Sequence, residues 1–173
     1  RISFCSKHGE NNEIYLMDYY GRRVRPLTTS STLNLSPAWS PDGERMAFVS
    51  WRSGKPTIYV MDSEGRTTRV PTIGGDLNSA PAWSPDGRKI VYNADADGNS
   101  EIYVVDLATG RNTRLTTSPG IETSPAFSPN GREIAFTSDR SGSPEVFIMD
   151  AEGLNPRRVS RTGDYNDSPA WSP

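Results

Sequence analysis

One cysteine and one histidine in 173 residues leave this chain poor in the side chains that build most catalytic and metal centres. A lone Cys5 cannot close an internal disulfide, and no Cys/His cluster has the spacing of a zinc site. No Gly-x-Ser-x-Gly segment marks a hydrolase nucleophile. An excess of one charge is missing too. The 19 Lys and Arg against 21 Asp and Glu give a net charge of −2, where a nucleic-acid binder carries a strongly basic domain. No apolar run approaches the ~18 residues that a membrane-spanning helix needs. Fourteen Pro and 15 Gly argue against a helical bundle. The expectation is a protein without catalytic residues, metal or cofactor. Arg1 opens the chain with neither Met nor a signal peptide, so the chain is expected to be processed, excised or partial.

What the sequence has in abundance is itself. Ser36–Gly43 reads SPAWSPDG, Ala80–Gly87 APAWSPDG, Ser124–Gly131 SPAFSPNG and Ser168–Pro173 SPAWSP, each starting 44 residues after the last. A second block keeps the same step: EIYLMD from Glu13, TIYVMD from Thr57, EIYVVD from Glu101 and EVFIMD from Glu145. A fixed period of this length signals a repeat architecture. The phase divides the chain into strands B–D of a first blade (1–35), full repeats at 36–79, 80–123 and 124–167, and a lone strand A at 168–173.

Each copy reads as four short strands. Strand A is the PAWS segment, Pro37–Ser40 in the first full copy. SPDG then turns the chain, with Pro presetting φ and Gly taking the left-handed conformation. Strand B is Arg45–Ser50, strand C Thr57–Asp62, and a polar strand D lies around Thr67–Val70. Strand C is apolar on both faces, with Ile58 and Val60 on one and Tyr59 and Met61 on the other. A sheet with one wet face would alternate instead, so each sheet must be covered on both sides. Strand D is rich in Arg, which suits an outer edge that must not pair with other chains. Four-stranded antiparallel sheets stacked face to face around an axis make an all-β propeller.

The SPAWSPDG, RMAFVS and IYVMD segments resemble the repeat of the TolB-type β-propeller over essentially the whole chain. That resemblance implies a six-bladed ring, whereas this chain has repeats for four. Three outcomes stay open: a closed four-bladed ring with Ser168–Pro173 as clasp, part of a longer propeller, or pairing of two copies to give eight blades. The resemblance also implies a periplasmic, non-enzymatic binding protein of the Tol–Pal envelope system. The same repeat occurs in propellers that gate serine peptidases. The readings carried forward are a scaffold binding a cell-envelope protein, a peptidase accessory domain, and a structural subunit completed by another chain.

If strands run A to D outward, the A–B and C–D turns share one face and the B–C and D–A loops the other. The turns are nearly uniform between copies and the loops differ in each, which assigns scaffold to the first face and binding to the second. On the loop face Trp51, Arg52, Arg140 and His8 are the candidate partner contacts, since exposed Trp and Arg dominate protein interfaces. Removing Trp51 and Arg140 is expected to leave stability unchanged. Asn34, Asn78, Glu122 and Asn166 form one column ahead of strand A, with Asp76 and Asp164 nearby. They read either as a polar channel mouth or as local caps of the D–A turn. Asp95–Asn99 has the look of a calcium loop, but its Gly is misplaced and Asp97-Gly98 is an ordinary hairpin turn. Cys5, in strand B, is expected to be buried and inert.

Overall fold

The computed structural model describes residues 1–30, 32–73, 77–161 and 165–172. Fifteen strands form four antiparallel sheets, and no helix occurs among the described residues. The first sheet has three strands in the order β1 (Ile2–His8), β2 (Asn11–Met17) and β3 (Arg25–Pro26). The second runs β4 (Asn34–Trp39), β5 (Arg45–Ser50), β6 (Thr57–Asp62) and β7 (Thr67–Arg69). The third runs β8 (Leu77–Trp83), β9 (Lys89–Asp95), β10 (Ser100–Asp106) and β11 (Asn112–Arg114). The fourth runs β12 (Glu122–Phe127), β13 (Glu133–Ser138), β14 (Glu145–Asp150) and β15 (Arg157–Arg158). These are β-propeller blades, each pairing strands in chain order with the Arg-bearing strand D at an edge.

Strands B and C of the second blade have the bounds expected from sequence, because their apolar runs end at turn residues. Both faces are covered: Phe48 and Ile58 are fully buried, and Met46, Val49, Tyr59 and Met61 nearly so. Consecutive blades pack in order, and β8 lies between β4 and β12, so the A strands stand side by side. One apolar cluster joins Ala47, Val49 and Ile58 to Trp83, Ile90, Tyr92 and Tyr103, bridging the second and third blades.

Strand A departs from expectation. It starts at Asn34 instead of Pro37, and its pairing with strand B slips between Leu35 and Ala38. The same slip recurs between Ser79 and Ala82 and between Thr123 and Ala126. Ser36, Ala80, Ser124 and Ser168 each take φ near +50°, between 46° and 55°. A non-glycine residue there costs about 1 kcal/mol or more. The bulge also places each proline, which has no N–H to give, where the ladder is interrupted. A left-handed Ser before Pro is not a strand signal, so the sequence concealed it.

The clasp of a four-bladed ring does not form among the described residues. β1 pairs only with β2, and residues 168–172 carry no strand pairing. That segment lies against the fourth blade instead. Asp167 accepts from Ser124 and Thr137, the Ser168 N–H reaches Thr137 Oγ1, and Trp171 Nε1 donates to Ala126 O at 3.0 Å. Uncovered on that side, β1 exposes Ile2 (42 %), whose counterpart Met46 is 2 % exposed. Cys5 is exposed as well, a correction to the buried thiol expected from its place in strand B.

Candidate binding face

Hydrogen bonds between loops establish the two faces. On one side the B–C and D–A loops bond to each other. Trp51 N–H reaches Leu33 O, Asn99 Nδ2 reaches Ser118 O and Gly120 O, and Asn166 N–H reaches Pro144 O. Ile121 N–H donates to Asp139 Oδ1 at 2.7 Å. Gly120 is required there: a Cβ would stand 2.7 Å from Arg140 N and 2.8 Å from Arg140 Cα. On the other side the A–B and C–D turns meet, with Leu107 N–H on Arg88 O and Ala151 N–H on Arg132 O.

The turn face is built alike in every blade. Ser40, Ser84 and Ser128 each accept the backbone N–H five residues on. Asp18 and Asp62 each take two turn N–H groups on Oδ1, as Asp106 does from Ala108 and Thr109. The backbone N–H and the hydroxyl of Thr109 hold the Asp106 carboxyl below the usual carboxylate range. These recurring Asp residues cap the end of strand C.

On the loop face, Arg52 lays its guanidinium over Tyr59 (4.7 Å) and Phe48 (5.3 Å) and bonds Ser50 and Thr67. Arg140 does the same over Phe147 (5.0 Å) and Phe136 (5.5 Å), and in addition reaches the fully buried Glu122. Ala96 occupies their position in the third blade, where Arg114 from strand D stacks on Tyr103 instead. Trp51 is half-buried and packs on the cluster shared by the second and third blades. Trp51 thus packs at the seam between the second and third blades, and Arg140 braces strands within the fourth. His8 is described by its backbone, which pairs with Asn11.

Asn34, Asn78 and Glu122 are 0, 2 and 0 % exposed, turned into the interfaces between blades. Asn34 Nδ2 donates to Glu13 Oε2 at 3.0 Å, and Asn166 Nδ2 to Glu145 Oε2 at 3.1 Å, each Glu belonging to strand C of the preceding blade. Asn78 reaches Pro56 O. Asp76 and Asp164 lie outside the described residues. Sequence reasoning missed the other half of this staple, the buried column Glu13, Thr57, Glu101 and Glu145. Thr28 and Ser160 donate to Glu13 and Glu145, and they accept the N–H of Ile14 and Val146. The signal was there in three copies of four: a Glu opening an otherwise apolar strand, 21 positions before the Asn column.

Around Asp95–Asn99 the polar groups serve the fold. Asp95 Oδ1 takes the Gly98 N–H, and Asp97 pairs with Arg114 at 2.7 Å. No group of three or more His, Cys, Asp or Glu able to hold a metal occurs among the described residues.

The chain resembles known proteins along its whole length. The family model of the TolB beta propeller domain matches residues 1–173. The Tol-Pal system protein TolB of Desulfosudis oleivorans is 43 % identical over 56 residues, which make up 32 % of this chain and 13 % of that protein. The crystal structure of TolB from Acinetobacter baumannii superposes with a TM-score of 0.83 at 35 % identity, covering 90 % of this chain and 39 % of that one. A puromycin hydrolase shares the fold alone, with a TM-score of 0.67 at 20 % identity over 87 % of this chain and 26 % of that one. With that family model matching from its first residue to its last, the chain belongs to the TolB beta-propeller domain family.

Proposed function

We propose that this chain is a non-enzymatic scaffold, a propeller segment of residues 1–173 that presents its loop face to a protein of the cell envelope, in the periplasm. The observation that carries this reading is the difference between the two faces. One repeats the same hydrogen bonds in each blade, and the other is a set of unlike loops held on a common frame. Divergent loops on a rigid frame are the usual place of recognition. Arg52 is the best presented of the candidate contacts, being exposed with its guanidinium oriented by Tyr59 and Phe48. Trp51, Arg140 and His8 complete the proposed patch.

A photo-crosslinking residue at Lys55, exposed in a B–C loop, is expected to capture a discrete envelope protein in periplasmic extract. The same group at Glu44, exposed on the turn face, is expected to capture none. Capture from Glu44 alone would overturn the assignment of the face.

A second reading, completion of the first blade by strand A of another copy, is favoured by Trp39. Its Nε1 is buried with no acceptor, while Trp83 and Trp171 reach the Ala38 and Ala126 carbonyls. Native mass spectrometry of this chain would show a dimer. A monomer with fast-exchanging β1 amides would rule that reading out.

A further inference from the structure

We propose that Glu101 and Glu122 form a proton-binding site, one proton shared between their Oε2 atoms, that latches the third blade to the fourth beneath the loop face.

The two side chains are 1 and 0 % exposed. Their Oε1 atoms are fully engaged. Glu101 Oε1 takes Arg114 Nη2 at 2.8 Å and the Ser118 N–H at 2.9 Å. Glu122 Oε1 takes the Ser138 hydroxyl at 2.7 Å and Arg140 Nη2 at 3.0 Å. Both Oε2 atoms are buried without a partner in good hydrogen-bond geometry, although the Thr116 hydroxyl, the counterpart of Thr28, lies beside Glu101. A buried carboxylate oxygen left without a donor is costly.

The repeat shows what is missing. In the first and fourth copies an Asn amide donates to the Glu of the preceding blade. Glu122 stands in that Asn column and faces Glu101, which stands in the Glu column. A carboxylate cannot donate, but a carboxylic acid can. Protonated Glu122 therefore does for Glu101 what Asn34 does for Glu13, and one proton satisfies both orphan oxygens. Like-charged carboxylates that share a site hold a proton for the same reason.

The surrounding charges fit a single negative charge on the pair. Arg114 faces it from β11 and Arg140 from the loop after β13. Asp97 offsets Arg114, Asp139 is bound to the Ile121 N–H, and Tyr103 lies under Arg114. Burial pushes the Glu122 carboxyl up, and the hydrogen bond to Glu101 adds to the rise against Ser138 and Arg140. Burial pushes Glu101 up as well, but Thr116, the Ser118 N–H, Arg114 and Glu122 outweigh it and leave it below the ordinary value. The Asn column is the donor in the other copies, so the shared proton is given from the Glu122 side to Glu101.

The raised group sets the sign. Glu122 contributes fully below the ordinary Glu value of about 4.3. That contribution is lost as pH rises through its raised value. Across that window the folding constant falls about tenfold per pH unit for one proton. Loss of the proton places two carboxylates together under Ser118–Ile121 and the loops of both blades, and loosens that part of the face.

The test is Glu122→Gln, which supplies a permanent donor. Urea denaturation from pH 4.5 to 9 is expected to show the wild-type folding constant falling relative to the variant by up to tenfold per pH unit. Carbon-13 titration of the wild-type chain is expected to show the Glu122 carboxyl above the ordinary Glu range. In Glu101→Gln that resonance is expected to move back down, since the neighbouring negative charge is gone. Parallel pH profiles for wild type and Glu122→Gln would overturn the proposal. So would an ordinary titration of Glu122, or an unmoved one in Glu101→Gln, which would assign the rise to burial alone.

Discussion

Trp83→Phe and Trp39→Phe make an informative pair, because the repeat places both indoles at the same position of strand A. Each packs against the preceding blade under an arginine, Arg45 at 4.7 Å from the Trp83 ring and Arg1 at 5.3 Å from the Trp39 ring. Phenylalanine fits the column, since Phe127 occupies it in the third full copy. The difference lies in one hydrogen bond. Trp83 Nε1 donates to Ala38 O at 3.0 Å, whereas Trp39 Nε1 is buried with no acceptor. Phenylalanine at 83 forfeits about 1 kcal/mol of net hydrogen bond and leaves a half-buried carbonyl short, for about 1 kcal/mol more. Phenylalanine at 39 loses no bond and removes an unsatisfied donor. Trp83 is buried and Trp39 only partly so, and the loss of ring area therefore acts in the same direction. Trp83→Phe is therefore expected to be less stable than Trp39→Phe by about 2 kcal/mol. At ~2–4 °C per kcal/mol for a chain of this size, the melting temperatures should differ by roughly 4–8 °C. Thermal unfolding followed by far-ultraviolet circular dichroism reads this without relying on tryptophan emission. Equal losses at the two positions would refute the reasoning, for the indole N–H would then contribute nothing at the blade interface.

Arg140→Ala is expected to cost about 1.5–3 kcal/mol more than Arg52→Ala. Both lose stacking on paired aromatics, but only Arg140 also bonds a fully buried carboxyl; urea denaturation of the two variants would decide it. Gly120→Ala is expected to destabilise by at least 1 kcal/mol, because the new Cβ meets Arg140 backbone rather than a movable side chain. A melting temperature equal to wild type would show that the loop can shift without cost. Cys5 is expected to react with a neutral thiol reagent in the native state, and faster as pH rises, since burial around the sulfur pushes its thiol up. Labelling only after unfolding would contradict its exposure.

Where the code is local, the sequence was legible. Arg45–Ser50 and Thr57–Asp62 appear with their expected bounds because an apolar run closed by turn residues defines a strand whatever it packs against. The loop and turn faces followed from strand order alone. The bulge at Ser36 escaped, because left-handed backbone ahead of a proline leaves no pattern in the residue type. The Asn column was found, but its direction was not. Whether Asn34 faces a channel or the neighbouring blade depends on how one sheet is rotated against the next.

By itself, then, the sequence determined the period, the four-strand blade, the outer Arg-bearing edge and the division between uniform turns and unlike loops. All of these arise from hydrophobic alternation and turn chemistry within one 44-residue unit. Tertiary structure alone decided that Glu13 meets Asn34 and Glu101 meets Glu122, that Arg140 braces a buried acid, and that Cys5 lies open. Those contacts join residues of different strands or blades. Their energies rest on burial and distance across an interface, and a single column of the repeat contains neither.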